Sequence, residues 1–199
     1  MVKLLMIGGG GHAISSLEVI KMTGLYEVDK VLSVTETHPS LTKLLDQSAN
    51  LKDLRKYYDH AFIGVGQIKE PDNRIRIFNE LKELNFELPS IISPKSYVSS
   101  ESKIGEGTII MNFSLINTHA FVGKNCIVNN FALIEHSAFI GNNVHISTGA
   151  KINGDAKIEE SCFIGSGAVV GNGVTVGKNS IVSANSFVFK DIPNNTKFR

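Results

Sequence analysis

The second half of the sequence repeats every six residues. From Ile92 to Val188 every sixth residue is Ile or Val, which holds at all seventeen such positions. The residue two places before each of them is Ser, Thr, Ala or Cys at fifteen of the seventeen. Residues two apart on a strand point to the same side, so each hexad turns one small and one branched side chain inward. A short fixed period of this kind is typical of a stacked repeat architecture.

This pattern predicts a parallel β-helix with a triangular cross-section. Three hexads close one 18-residue coil, and successive coils pair as parallel strands about 4.8 Å apart. The 97 residues from 92 to 188 make a little over five coils. An antiparallel sandwich would need longer alternating strands. Gly and Asn recur at the expected corners, where we expect positive φ angles. These corner residues are Gly105, Gly123, Gly141, Gly165, Gly171, Gly177, Asn129 and Asn153.

The first 88 residues alternate between strand and helix patterns. Apolar runs predict strands over 2–7, 31–34 and 61–65, and the spacing of apolar residues predicts helices near 14–21, 51–58 and 71–84. Alternating strands and helices indicate a parallel sheet. We therefore expect a small α/β, Rossmann-like unit in residues 1–88 and an all-β parallel β-helix in residues 89–199.

Four glycines, Gly8 to Gly11, follow the first strand. With Ala13 they match the dinucleotide-binding fingerprint formally. The acidic residue that usually follows the second strand is missing, and Thr35 and Glu36 are the nearest candidates. A helix N-terminus at this point also favours anions. The motif favours an anionic nucleotide over NAD, and a plain tight turn between strand and helix remains open.

His136 is the strongest catalytic candidate among the six histidines. It lies at an expected corner directly after Glu135, and an imidazole beside a carboxylate suits a general base. A corner residue that only faces solvent is the alternative. The spacings of 17 and 9 between His119, His136 and His145 do not bring three ligands to one edge, so we expect no metal.

Cysteine content and charge narrow the remaining possibilities. Cys126 and Cys162 are 36 residues apart, so they lie two coils or roughly 9–10 Å from each other, too far for a disulfide. Both fall at inward positions, so we expect no acyl-cysteine either. Twenty basic and 19 acidic residues give no reason to expect nucleic acid or an anionic membrane as partner. No apolar run reaches the ~18 residues of a membrane span. The N-terminus reads as a strand rather than a signal peptide, and two cysteines suit a cytoplasmic location.

The combination of motifs resembles a known family. The stretches Ile7-Gly8-Gly9-Gly10-Gly11-His12-Ala13, Gly64-Val65-Gly66 with Asn73-Arg74, and Ile134-Glu135-His136 with His145-Ile146 carry the resemblance. They are similar to the bacterial sugar acetyltransferases that join a Rossmann-like domain to a left-handed hexapeptide β-helix. Those enzymes N-acetylate nucleotide-linked 4-amino-4,6-dideoxy sugars or O-acetylate sialic acids.

The resemblance implies roles for particular residues. It implies acetyl-CoA as co-substrate, His136 as catalytic base with Glu135 beside it, and Asn129 near the amine. His145 would contact the acetyl-CoA thioester and stabilise its oxyanion together with backbone N–H groups, among them that of Gly154. The nucleotide-sugar pocket would be lined by Gly10, His12, Gly64, Thr35, Glu36 and Asn73.

The resemblance also implies a homotrimer, and the chain departs from the family at two places. The family usually has an acid directly after the catalytic histidine, where this chain has Ser137. Members commonly end in a Gly-x-Pro-Ala stretch, which this sequence lacks. We expect N-acetylation of a nucleotide-linked amino sugar for surface glycans. O-acetylation of sialic or a related nine-carbon acid, and a non-catalytic scaffold or binding module, remain open.

Overall fold

The computed structural model describes residues 1–33, 37–46, 48–68 and 70–199. It begins with a three-stranded parallel sheet in the order β2-β1-β3. The elements of this N-terminal unit are β1 (Val2–Ile7), α1 (Gly11–Thr23), β2 (Tyr26–Leu32), α2 (Leu51–Leu54), β3 (His60–Ile63) and α3 (Asp72–Glu83). The α/β prediction is confirmed, and no described helix is long and apolar enough to cross a membrane.

Two elements of this unit differ from their predicted ranges. β2 begins five residues before the predicted start. It lies at the edge of the sheet, and there Glu27 and Asp29 interrupt the apolar pattern on which the prediction relied. The second helix is a single turn rather than the eight residues predicted, and Asn50 caps it by accepting a hydrogen bond from the Lys52 N–H. Thr35 and Glu36 lie outside the described residues.

The rest of the chain is a parallel β-solenoid with three flat faces, as the hexads predict. Face 1 holds β4 (Ile91–Ile92), β7 (Ile109–Ile110), β10 (Ile127–Val128), β13 (His145–Ile146), β16 (Phe163–Ile164), β19 (Ile181–Val182) and β21 (Lys197–Phe198). Face 2 holds β5 (Tyr97–Val98), β8 (Leu115–Ile116), β11 (Leu133–Ile134), β14 (Lys151–Ile152), β17 (Val169–Val170) and β20 (Phe187–Val188). Face 3 holds β6 (Lys103–Ile104), β9 (Phe121–Val122), β12 (Phe139–Ile140), β15 (Lys157–Ile158) and β18 (Thr175–Val176).

The inward ladders form the solenoid core. The branched residues from Ile110 to Val188 and the small residues between them are almost all fully buried in one cluster. Pairing follows the 18-residue period, as between Ile127 and His145. The final strand breaks it, since Ile181 pairs with Lys197, 16 residues later. The sequence did not predict β21 because the hexad pattern ends before it.

The corner prediction was wrong in its detail. Positive φ angles occur elsewhere, at positions such as Gly107, His119 and Asn125, and not at the eight residues that were expected to adopt them. Most of the predicted glycines are needed for a different reason. A Cβ at Gly105 would lie 2.6 Å from the backbone of Gly123 in the next coil, and similar approaches occur at the glycines of positions 123, 141, 165 and 177. These corners require close stacking rather than a left-handed backbone.

The part of face 1 formed by its first three strands is covered by the N-terminal unit. Its outward residues Ile91, Ile109 and Ile127 are fully buried, in one cluster with residues of β1 and α1 such as Leu4 and Ile20. The hexad pattern alone counts these positions as outward. Three successive coils nevertheless have isoleucine at the outward position of this face, whereas lysine occupies several of the outward positions on the other faces. This difference was a readable signal that this part of face 1 is covered. The contact holds the loops of the α/β unit over one side of the solenoid.

Candidate functional site

A cavity of about 560 Å³ lies where the N-terminal unit meets face 1. We call it the seam cavity. Its walls are the glycine loop and start of α1 (8–12 and 15), the segment after β3 (64–68), and Met111, Asn129 and His145 of the solenoid. Polar side chains from both units therefore line it, among them His12, Asn129 and His145. Such a cavity between packed units, with a few polar groups, is typical of a ligand site.

His145 is held rigidly in the wall of the seam cavity. It is only 7% exposed, and its ring packs edge-on against Phe163 with centroids 5.1 Å apart. Nδ1 forms a hydrogen bond with the carbonyl of Gln67, and Nε2 lies 3.5 Å from Nδ2 of Asn129. Burial, with the nearby charge of Arg74, lowers the pKa of His145 to about 4. The imidazole is therefore neutral near pH 7.

His12 lies in the first turn of α1, beside the glycine loop. Its Nε2 is 3.4 Å from the Ser16 hydroxyl, one turn along the helix. Burial lowers the pKa of His12 to about 3, with smaller contributions from Arg74 and His145, so this ring is also neutral. The helix starts at the Gly10 N-cap with no side-chain cap and no acidic residue in its first turn. Its N-terminal N–H groups suit an anionic group bound at the loop.

A second cavity, of about 460 Å³, lies at the carboxyl ends of the three strands. We call it the strand-edge cavity. It is lined by residues after β1 and β2, by residues 48–51, and by Asn73, Arg76 and Glu80 of α3. Gly8 and Val65 line both cavities, so the two adjoin along the same edge of the sheet. Ligands of open parallel sheets bind at such carboxyl edges.

The predicted pocket residues divide between these cavities. Gly10, His12 and Gly64 line the seam cavity, and Asn73 lines the strand-edge cavity, where its Oδ1 accepts a hydrogen bond from Arg76. Gly64 permits close packing, since a Cβ there would lie 3.0 Å from Cβ of Ala13. The predictions for Thr35 and Glu36 fall outside the described residues.

His136 lies apart from the seam cavity. It follows β11 on face 2, at the corner that leads to β12 on face 3, and it is exposed. Its imidazole packs against Gly154 of the next coil, where a Cβ would be 2.6 Å from Cε1 and Nε2. The Glu135 carboxylate accepts hydrogen bonds from Asn117 Nδ2 at 2.7 Å and from the backbone N–H of His136. Within the described part of the chain, the His136 ring has no hydrogen-bond partner.

Gly154 offers a backbone donor next to this imidazole. In the two preceding coils the equivalent N–H groups, those of His136 and Thr118, donate to the side chains of Glu135 and Asn117. The N–H of the buried Gly154 has no acceptor among the residues that the structure describes. A free N–H beside a candidate base is the arrangement that stabilises a developing oxyanion.

The predicted site residues thus form two clusters within one chain. His12, Asn129 and His145 come together in the seam cavity, whereas His136, Glu135 and Gly154 come together at a corner between faces 2 and 3. One chain by itself does not bring the two clusters into a single site.

Sequence reasoning gave no role to two buried residues at the seam: Gln67, and Arg74, which stands in one of the stretches that carry the resemblance. Arg74 is 1% exposed and Gln67 is 2% exposed. Arg74 shares the buried face of α3 with Ile77 and Leu81, so an arginine within that apolar stripe was a readable signal. Gln67 carried no such signal, because its contacts depend on how the two units pack.

Two kinds of chemistry find no support in the described residues. No three His, Cys, Asp or Glu side chains among them come together as metal ligands. Cys126 and Cys162 are both buried and free, and burial raises the pKa of each thiol to about 11. Neither is suited to act as a nucleophile.

Comparison with known proteins adds to this geometry. Residues 155–190 match the family model described as bacterial transferase hexapeptide (six repeats). No curated protein matches the sequence closely enough to count as a relative. Among solved structures, PerB from Caulobacter crescentus, in complex with CoA and GDP-perosamine, is 27% identical, with a TM-score of 0.88 over 98% of this chain and 92% of that chain.

Two further structures are similar over nearly the whole chain. The acetyltransferase domain of PglB from Neisseria gonorrhoeae FA1090, in complex with acetyl coenzyme A, is 28% identical, with a TM-score of 0.87 over 98% of this chain and 94% of that one. WeeI from Acinetobacter baumannii AYE is 22% identical, covers 100% of this chain and 97% of that one with a TM-score of 0.78, and supports the fold alone. The chain therefore carries a segment of bacterial transferase hexapeptide repeats, and over 98% of its length it is similar to PerB and to the acetyltransferase domain of PglB.

Proposed function

We propose that this protein transfers an acetyl group from acetyl-CoA to the amine of a nucleotide-linked 4-amino-4,6-dideoxy sugar, a building block of bacterial surface glycans. The observation that carries the proposal is the adjacency of the two cavities along the sheet edge. A nucleotide fits the strand-edge cavity, and a sugar fits the seam cavity between His12, Asn129 and His145. The likeness to a protein bound to CoA and GDP-perosamine supports the same assignment.

The glycine loop joins the two parts of such a substrate. Gly8 borders both cavities, and the uncapped N-terminus of α1 follows it directly. A diphosphate placed there meets free N–H groups and the positive end of the helix dipole. The sugar then extends into the seam cavity, with its amine toward the side chain of Asn129.

The transfer needs a base and an oxyanion donor, and the corner cluster offers both. The amine nitrogen attacks the thioester carbonyl, so a C–N bond forms and the C–S bond breaks. Nε2 or Nδ1 of His136 takes the proton that the amine loses and passes it to the departing thiolate. The free N–H of Gly154 stabilises the negative charge on the carbonyl oxygen. No acyl-enzyme is needed, in keeping with two buried cysteines.

In this proposal the two clusters meet between neighbouring subunits of a homotrimer. Exposed aromatic residues support a subunit contact on the solenoid: Phe121 and Phe139 stack on face 3 with centroids 5.0 Å apart, and Phe187 is 57% exposed on face 2. Exposed apolar patches of this kind mark protein contacts. A three-fold arrangement would place the His136 corner of one chain at the seam cavity of the next.

A substrate screen tests the proposed activity. The protein is incubated with acetyl-CoA and a panel of nucleotide-linked amino sugars and of sialic acids, and release of free CoA thiol is followed. Turnover with a nucleotide amino sugar, and acetyl on its nitrogen by mass spectrometry, is the expected result. Turnover with sialic acids alone would replace the proposal with O-acetylation. A failure to bind CoA would indicate a non-catalytic scaffold.

A further inference from the structure

Arg74 is a fully buried cation that joins the two units. Its Nη1 donates to the carbonyls of Ile63 and Val65, both at 2.8 Å, in the segment that leaves β3. Nε and Nη2 donate across the seam to the carbonyls of Asn125 and Gly107, at 3.3 and 3.2 Å. No carboxylate among the described residues pairs with it. Burial lowers the pKa of Arg74 only to about 10, so the guanidinium is charged near pH 7.

The segment that Arg74 holds continues directly into Gln67. The Gln67 side chain is buried, and its Nε2 donates to the carbonyl of Asn143 at 3.1 Å. Its backbone carbonyl is the group that meets Nδ1 of His145. Arg74 therefore binds the backbone two and four residues before Gln67. The side chain of Gln67 anchors the same residue whose carbonyl meets His145.

The contact to Gln67 determines which ring nitrogen of His145 carries the proton. A carbonyl oxygen only accepts hydrogen bonds, so Nδ1 is the donor. The ring is neutral near pH 7 because burial holds its pKa at about 4, and a neutral imidazole has one N–H. Nε2 is therefore left with a lone pair.

Asn129 leads to the same assignment independently. Its Oδ1 accepts a hydrogen bond from the backbone N–H of Asn130 at 2.8 Å, which fixes the orientation of the amide. Nδ2 consequently points toward Nε2 of His145 at 3.5 Å, and an amide nitrogen only donates. Both neighbours of the ring thus require a proton on Nδ1 and a lone pair on Nε2.

We infer that Arg74 is a positioning residue of the candidate active site: through Gln67 it fixes His145 as the Nδ1–H form. The Nε2 lone pair, which meets only the long 3.5 Å contact from Asn129, then accepts a hydrogen bond from an N–H or O–H group of the substrate. The inference rests on the proposed function in taking the seam cavity as the sugar site. It changes the role expected for His145, because a bare Nε2 has no proton to donate to a thioester oxyanion. The negative charge of the oxyanion is then stabilised by backbone donors such as the Gly154 N–H.

The tautomer of His145 can be measured without any substrate. Imidazole ¹⁵N–¹H correlation spectra of the full chain at pH 7, assigned with His145→Gln, distinguish the Nδ1–H from the Nε2–H form. We expect Nδ1–H in the wild type. In Arg74→Lys, which keeps the charge but loses the planar fork of donors, we expect signals shifted toward a mixture of both forms. Arg55→Lys is the matched control, since Arg55 also donates to backbone carbonyls of the N-terminal unit, and we expect no shift.

Kinetics with the amino sugar found in the substrate screen give the second readout. We expect Arg74→Lys to lower kcat/KM for the sugar by up to about 10²-fold with little change in KM for acetyl-CoA, because a reacting group is displaced. If Arg74→Lys does not fold, Arg74→Gln takes its place, as it keeps two donors. An Nε2–H tautomer in the wild type overturns the inference, whatever the enzyme's activity. A folded Arg74 variant with an unchanged tautomer and unchanged kinetics also overturns it.

Discussion

The imidazole of His136 lies directly on the α-carbon of Gly154, one coil further along the solenoid. A Cβ at position 154 would be 2.6 Å from both Cε1 and Nε2 of the ring, so the ring can occupy this place only because the residue is glycine. The φ angle of Gly154 is not positive, and its backbone is therefore open to any residue. The candidate base His136 and the free N–H of Gly154 are therefore held side by side.

Gly154→Ala is expected to displace the His136 ring without unfolding the solenoid. The added methyl group meets the ring rather than backbone, so the ring rotates away, and we expect kcat to fall by about 10²-fold. Circular dichroism and melting should stay close to wild type. Thr148→Ala, an exposed residue at the same hexad position of another corner as Gly154, is the control and should retain full activity. An active Gly154→Ala would show that the place of the ring has no bearing on catalysis.

His136→Ala is expected to remove the base. We expect kcat to fall by about 10²–10⁴-fold, while melting and CoA binding change little, because the side chain is exposed and outside the core ladders. His60→Ala, which removes a histidine that contacts Glu87 in the N-terminal unit, is the control for histidine loss in general. Turnover like that of the wild type in His136→Ala would remove this residue from the mechanism.

The sequence predicted the solenoid closely because its signal is local and repeated. Each hexad carries its own inward pair, so seventeen hexads independently predict the same structure. Nearly every inward residue from Ile110 onward is buried as expected. His136 also stood out by its position beside Glu135, and the resemblance pointed to His145. The partner of His145 did not stand out, since the Gln67 carbonyl is a backbone group 78 positions away and becomes a partner only when the units pack.

The corner glycines show a second limit of pattern reading. Gly105 was expected to need a positive φ angle, yet its requirement is the backbone of Gly123 in the next coil. Both requirements disfavour a Cβ, so either of them selects glycine at this position. Only the structure separates them, because close approach is a property of stacked coils and not of one hexad.

The double change Cys126→Ala, Cys162→Ala should leave the enzyme active. Both thiols are buried at positions where alanine is common in this solenoid, and burial raises the pKa of each to about 11, so neither forms a reactive thiolate. Turnover is measured as CoA release and folding by circular dichroism. A folded double variant without activity would contradict direct transfer and return an acyl-cysteine to consideration.

The lowered pKa values of His145 and His12 should make the fold sensitive to mild acid. In the unfolded chain a histidine titrates near pH 6.5, whereas burial lowers the pKa of His145 to about 4 and of His12 to about 3. Between these values the unfolded state binds more protons, so the free energy of unfolding falls as pH decreases from about 6.5 toward 4. Urea unfolding at several pH values should show a shallower decrease in the double variant His12→Gln, His145→Gln. Equal slopes in both proteins would contradict this prediction.

Mixing mutant chains tests whether the two clusters meet between subunits. His136→Ala and His145→Ala chains should each be nearly inactive alone. In randomly mixed trimers, one interface in four receives both intact histidines, so about a quarter of wild-type activity should return after co-expression or refolding. The reason is geometric: His136 lies at an exposed corner after face 2, and His145 is buried on face 1 under the N-terminal unit. Trimers shown to be mixed but still inactive would mean that the site is built within one chain, or that His145 takes no part in it.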